Sequence, residues 1–159
     1  MDLTIEKAAL TDLASVKMLE IEGNLSSWPV EDYREELRRD DSIFLVIKEG
    51  NKTLGFILSR LIMNSHINEN SHINEAEIYN ITISAEHRGK KLATALITKF
   101  FEICRINNIS RIFLEVRETN KIARRFYEKT GFRVRGKRNN FYTDPVENAV
   151  LMAVELETP

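Results

Sequence analysis

A chain of 159 residues with 43% hydrophobic and 30% charged residues matches one globular domain whose core needs neither disulfide nor metal. The formal net charge of −1 excludes general affinity for nucleic acid, and no apolar run is long enough for a membrane span or signal peptide. The single cysteine, Cys104, excludes an internal disulfide and points to a reducing, cytoplasmic setting.

Leu3 to Lys7 reads as a first strand, and Thr11-Asp12 as the cap of a helix running to about Glu22. Gly23 to Ser27 breaks that helix. Trp28-Pro29 opens a second one through Arg39, with the proline in its first turn. Ile43–Glu49 and Thr53–Met63 are strands joined by the hairpin signal Gly50-Asn51. Residues 65–75 spell SHINEN and then SHINE, a short repeat read as an expanded surface loop before a strand beginning at 76. Its His66 and His72 have no ligand-like partners, so no metal is expected. After the strand, Leu92, Ala95, Leu96, Lys99, Phe100 and Ile103 recur at helical spacing, with Cys104 beside them as a buried thiol. A strand at 111–117, a helix at 120–130 and strands at about 132–138 and 149–156 complete the chain.

The small net charge hides an asymmetry. Glu20, Glu22, Glu31, Asp32, Glu35, Glu36, Asp40 and Asp41 crowd the first half, and Lys121, Arg124, Arg125, Lys129, Arg133, Arg135, Lys137 and Arg138 the second. Such a pattern suits an anionic cofactor and a cationic second substrate, or two solvated faces.

Residues 76–96, AEIYNITISAEHRGKKLATAL, carry the most information. The strand Ile78 to Ile83 feeds the basic turn His87-Arg88-Gly89-Lys90-Lys91, which opens a helix. Free backbone N–H groups and the positive helix end then converge on one point, an anion site of the kind used for phosphate or pyrophosphate. A merely basic strand–helix connection would look the same.

The segments that follow are specific. RGKKLA, LEVRETN and ARRFYEKTGF, in this order and spacing, resemble the GCN5-related N-acetyltransferases, whose loop motif reads Arg/Gln-x-x-Gly-x-Gly/Ala. Within that superfamily, YNITIS, FLEVRETNKIARRFYEKTGF and NNFYTDPVENAVLMAVEL are most similar to the ribosomal-protein alanine N-acetyltransferases (RimI type). The chain departs from the motif at Lys91, which stands where the middle glycine usually is and would be strained in a left-handed backbone.

The resemblance implies an α/β fold with a mixed, mostly antiparallel sheet of about seven strands flanked by about four helices. It implies acetyl-coenzyme A as co-substrate and no metal. Ile81, Thr82 and Ile83 would face the pantetheine arm. Arg88, Gly89, Lys90, Lys91, Leu92, Ala93 and Thr94 would surround the pyrophosphate. Asn120 would touch the cofactor, or simply cap the next helix, or both. Glu115 is the implied general base, with an ion pair to Arg117 as the structural alternative. Tyr127 is the implied general acid and a cofactor contact, with a core-edge tyrosine as its alternative. Ile122 and Phe126 form an apolar pair read as facing the sheet. Trp28, Tyr79, Asn80 and Tyr142 are the implied acceptor contacts, the last in Asn140-Phe141-Tyr142, where Phe141 lacks a hydroxyl found in relatives. The acidic helix after Trp28 would favour basic peptides.

The implied reaction is direct transfer, in a ternary complex, to a protein α-amine such as that of ribosomal protein S18. An α-amine, with a reference pKa of about 7.7–8 against about 10.4 for lysine, asks less of a single carboxylate base. Transfer to lysine or a small amine is the nearest alternative, and a non-catalytic coenzyme A-binding module is another. The expected state is a monomer or weak dimer, free of membrane and nucleic acid.

Overall fold

Strand pairing starts at the two-residue turn Gly50-Asn51. Gly50 takes the left-handed φ of +58°, and β2 (Ser42–Glu49) pairs antiparallel with β3 (Lys52–Met63) from Glu49↔Lys52 onward. β1 (Leu3–Lys7) adds antiparallel to β2 with Leu3 opposite Glu49. The computed structural model describes residues 2–63 and 74–157. The SHINE repeat, with His66 and His72, therefore lies outside the described residues except for Asn74 and Glu75.

The remaining elements are α1 (Leu13–Glu22), α2 (Val30–Glu36), β4 (Asn74–Ile83), α3 (Leu92–Ile106), β5 (Ile109–Arg117), α4 (Lys121–Lys129), β6 (Arg133–Thr143) and β7 (Val146–Glu155). The seven strands run in the order β1-β2-β3-β4-β5-β7-β6. β4 and β5 are parallel, whereas β5–β7 and β6–β7 are antiparallel like the first two pairs. This is the mixed, mostly antiparallel sheet with four helices that the resemblance implied.

Several boundaries differ for local reasons. Leu10–Asp12 form a separate 3-10 turn before α1. Asp12 does not cap α1 through its side chain; its Oδ2 accepts the Ala9 N–H at 2.8 Å and its Oδ1 the Thr53 hydroxyl at 3.0 Å and the Lys48 ammonium at 2.9 Å. α2 is shorter than expected, because Pro29 stays extended (ψ 145°) at the N-cap and the helix stops at Glu36. The stretch after Arg138, read as loop, belongs to β6. Arg138 pairs with Ala149, and the ladder then jumps to Tyr142↔Glu147, so Asn139–Phe141 bulge out of a strand the turn residues had concealed.

Contacts divide the chain into two compact units, residues 1–61 with 79–103 and residues 62–78 with 104–159. In the first, Leu13, Val16 and Leu19 of α1 pack with Tyr33 of α2, Phe44 and Val46 of β2, and Phe56 and Leu58 of β3. Removing each such side chain from water contributes roughly 1.5–3 kcal/mol. Gly55 lets β3 come close to the end of β4: a Cβ there would lie 2.4 Å from Ile83 Cδ1 and 2.6 Å from the Thr82 carbonyl oxygen. In the second, Ile112, Leu114 and Val116 form the buried face of β5, with Met152 and Ala153 of β7 and Phe132 also buried. Cys104 is fully buried, and burial pushes its thiol up to about 12.

Candidate active site

In the first unit, β4 ends at Ile83 and a 3-10 turn, Ala85–His87, leads to Arg88 and the start of α3. Two residues of the connection are left-handed: Gly89 at φ +76° and Lys91 at φ +62°. The expected strain at Lys91 is therefore present, because its Cβ crowds the carbonyl in this conformation. The Lys91 carbonyl accepts the Ala95 N–H at 3.0 Å, so the same residue starts the helix. Lys91→Gly is expected to raise unfolding stability by about 0.5–1 kcal/mol in urea melts.

Arg88, Gly89, Lys90, Lys91 and Thr94 are exposed, Ala93 is half-buried and Leu92 is buried in the helix face. Arg88 Nε donates to the Ile83 carbonyl at 3.1 Å, which ties the loop cation to the strand. Ile81 and Thr82 are half-buried, whereas Ile83 is buried and packs toward Gly55. The loop thus presents backbone N–H groups, two lysines and the first turn of a 15-residue helix, as an anion cradle requires.

The three acceptor candidates of this unit meet around Tyr33. Trp28 stacks on Tyr33 with centroids 5.4 Å apart and lies 5.6 Å from Tyr79. The Asn80 amide, buried, donates to the Tyr33 hydroxyl at 3.2 Å, which in turn donates to Glu20 Oε2 at 2.5 Å. Glu20 also accepts the Trp28 N–H at 3.0 Å and the Lys17 ammonium at 2.6 Å. Burial, followed by the Glu20 charge, raises the Tyr33 phenol above its ordinary value and keeps it a donor. Sequence reading missed Tyr33 and Glu20, although a glutamate and a tyrosine inside otherwise apolar helix faces were a usable signal.

The acidic helix is less open than its composition suggests. Glu20 is consumed by this network, Glu36 by Arg60, Glu31 by Arg34, Asp41 by Arg39, and Glu22 by the Ala85 N–H. Asp32 and Glu35 of α2, and Asp40 after it, stay exposed, so part of the acidic run still faces solvent.

In the second unit, Glu115 projects from β5 on the face of Phe113 and Arg117. Its ion-pair partner is Arg138 of β6, Nε to Oε1 at 3.2 Å, and not Arg117. Arg117 instead pairs with Glu147 at 3.3 Å and lies over the Tyr142 ring, 4.2 Å from its centroid. Register aligns Arg138 with Arg117 through Ala149 and Glu115 with Gly136 through Leu151, so the Arg138 side chain reaches Glu115 diagonally across β7.

α4 turns the other way from the expected orientation. Ile122 is 86% exposed, and Tyr127 is the buried residue, packed between Phe126 (5.5 Å) and Phe132 (5.6 Å). Asn120 caps the helix, Oδ1 accepting the Ala123 N–H at 3.2 Å. Burial, with a smaller contribution from the neighbouring Tyr142, raises the Tyr127 phenol well above the ordinary tyrosine value. Tyr142 is raised by burial and then by Glu115. Tyr142 thus lies within electrostatic reach of both Glu115 and Tyr127.

Comparison with known proteins settles the family. The model of the acetyltransferase (GNAT) family matches residues 9–132. The chain belongs to this family. The acetyltransferase is 30% identical over 153 residues to a Bacillus subtilis (strain 168) protein provisionally named a ribosomal protein bS18-alanine N-acetyltransferase, covering 96% of this chain and 95% of that one. Its fold matches the ribosomal-protein-S18-alanine N-acetyltransferase of Escherichia coli with a TM-score of 0.84 at 22% identity, covering 99% and 96% of the two chains. It also matches Arabidopsis thaliana NAA60 in complex with acetyl-CoA, TM-score 0.86 at 15% identity, covering 98% and 99%. Among the described residues of the acetyltransferase, no cluster of side chains could hold a metal ion, and no helix is long and apolar enough to cross a membrane.

Proposed function

We propose that this acetyltransferase moves acetyl from acetyl-coenzyme A directly to a protein N-terminal α-amine, with an alanine-initiated ribosomal protein such as S18 as the acceptor. The observation that carries the reading is a half-buried carboxylate, Glu115 on β5, held by Arg138 of β6, in the same unit as the buried phenol of Tyr127. Glu115 takes a proton from the acceptor ammonium, directly or through water, and Tyr127 gives one to the departing thiolate. The left-handed loop Gly89–Lys91 and the start of α3 receive the pyrophosphate. β4 runs five residues past its ladder with β5, which ends at Ile78↔Leu114, and Ile81 and Thr82 lie in that extension facing the pantetheine. Trp28, Tyr79, Asn80 and Tyr142 contact the acceptor peptide.

Direct transfer is supported by the chemistry of the available nucleophiles. Cys104 is buried with its thiol pushed up to about 12, so it offers no thiolate for a covalent acetyl-enzyme. The names of the similar bacterial protein and structure support the acceptor.

The test is coenzyme A release with a peptide carrying the S18 N-terminal residues, beside an α-amine-blocked copy and a lysine-free copy. Turnover should vanish on blocking and persist without lysine. Turnover that survives the block would move the acceptor to lysine.

A further inference from the structure

Arg138 is the residue neither the motif nor the proposed chemistry uses, yet it holds the carboxylate on which that chemistry depends. It is the last β6 residue paired with β7 before the bulge, opposite Ala149. The bulge is fixed by Asn140, left-handed at φ +53°, whose N–H donates to Asn148 Oδ1 at 2.9 Å. Phe141, which follows, lies 5.6 Å from the Arg138 guanidinium, so the cation rests between an aromatic face and the Glu115 carboxylate. The order of the pair from inside to outside is clear from exposure: 13% for the Glu115 side chain and 59% for that of Arg138. Arg117, the nearer cation in sequence, is committed to Glu147, the Asp144 and Pro145 carbonyls and the Tyr142 ring.

An acceptor whose proton Glu115 removes directly, without a bridging water, brings a cationic nitrogen to within about 3 Å of that carboxylate. Arg138 Nε occupies that distance at 3.2 Å. We infer that Arg138 is a placeholder for the acceptor ammonium: it neutralises Glu115 in the absence of substrate, and an incoming primary ammonium displaces it. This rests on the base role proposed for Glu115. The contact suits the task because its arginine half is exposed, so the cation that leaves is rehydrated as the incoming one takes its place. It also screens the site, since only a cation exchanges for a cation here without leaving the carboxylate alone.

The test titrates the coenzyme A-bound protein with an alanine-initiated peptide by calorimetry. Arg138→Ala should tighten peptide binding about two- to five-fold, the equivalent of one exposed ion pair, and leave coenzyme A affinity unchanged. Arg138→Lys should stay near wild type. In a Glu115→Gln background, adding Arg138→Ala should have no effect on peptide affinity. Weaker peptide binding in Arg138→Ala, or an equal gain with and without the Glu115 charge, would overturn the inference.

A second readout needs no turnover and no peptide. The Arg138 Nε–H resonance of the wild type should move, on adding alanine amide, toward its position in Glu115→Gln; a resonance that stays fixed overturns the displacement. A protein inactive on every peptide, but whose Arg138 resonance still answers to alanine amide, would sink the proposed reaction and leave the displacement standing.

Discussion

Glu115→Gln lowers kcat on an alanine-initiated peptide by about 10²–10⁴-fold, the usual contribution of a positioned general base, and leaves the KM for acetyl-coenzyme A near wild type. The amide keeps the size of the side chain and its place on β5 between the buried Leu114 and Val116. What it loses is the ability to take a proton. Folding should change by less than about 1 kcal/mol, because the pair that Glu115 makes with Arg138 is solvent-exposed on the arginine side. Steady-state kinetics beside a urea melt separates the two effects. A variant that keeps more than about a tenth of wild-type kcat would take the base role away from Glu115.

Arg60→Ala is expected to destabilise the protein by about 3 kcal/mol, the largest stability change anticipated here, because it strands a buried charge. Glu36 has a side-chain exposure of 1%, and the Arg60 guanidinium holds it through two nitrogens, Nε at 3.0 Å from Oε1 among them. Hydrogen bonding to Glu36 in turn raises the guanidinium above its ordinary value, so the cation is always present. Without it, the Glu36 carboxylate of α2 loses its cation in a site that Arg60 otherwise shields from water. Arg60 also lies over the Tyr79 ring at 5.5 Å, so acceptor binding should suffer along with stability. Urea unfolding of Arg60→Ala, and of the same variant with Glu36→Leu, checks the cause: the second change should restore most of the loss.

The fold was legible where one physical signal dominated. Apolar alternation placed β1, β2, β3 and β5 to within about two residues, and the Gly50-Asn51 turn fixed the hairpin register. Family motifs pointed to the basic loop before α3 and to the Glu115 strand. Orientation was harder. Ile122 and Phe126 satisfied a helical apolar pattern, yet α4 buries Tyr127, because Phe132 after the helix supplies its aromatic partner. Asp12 looked like a cap, and its partners Lys48 and Thr53 come from strands far along the chain. Pairings of this kind depend on which strands become neighbours. The same is true of Arg138 on Glu115: β7 is interposed, so no spacing along the sequence announces it. The β6 bulge has no signature in the sequence, because Asn139, Asn140, Asp144 and Pro145 read as loop residues.

The early pairing of acids with bases in the first unit bears on how a cationic peptide finds this protein. Long-range attraction scales with uncompensated charge, and at physiological ionic strength it fades within about 8 Å. Glu20, Glu31, Glu36 and Asp41 each face a cation of the same chain, which leaves the exposed Asp32, Glu35 and Asp40 as the carboxylates whose field reaches solution. A cationic peptide would then be drawn by a few carboxylates and not by the whole acidic run, so its rate of association should respond only modestly to added salt, and discrimination among acceptors would fall mainly to the residence time of the complex.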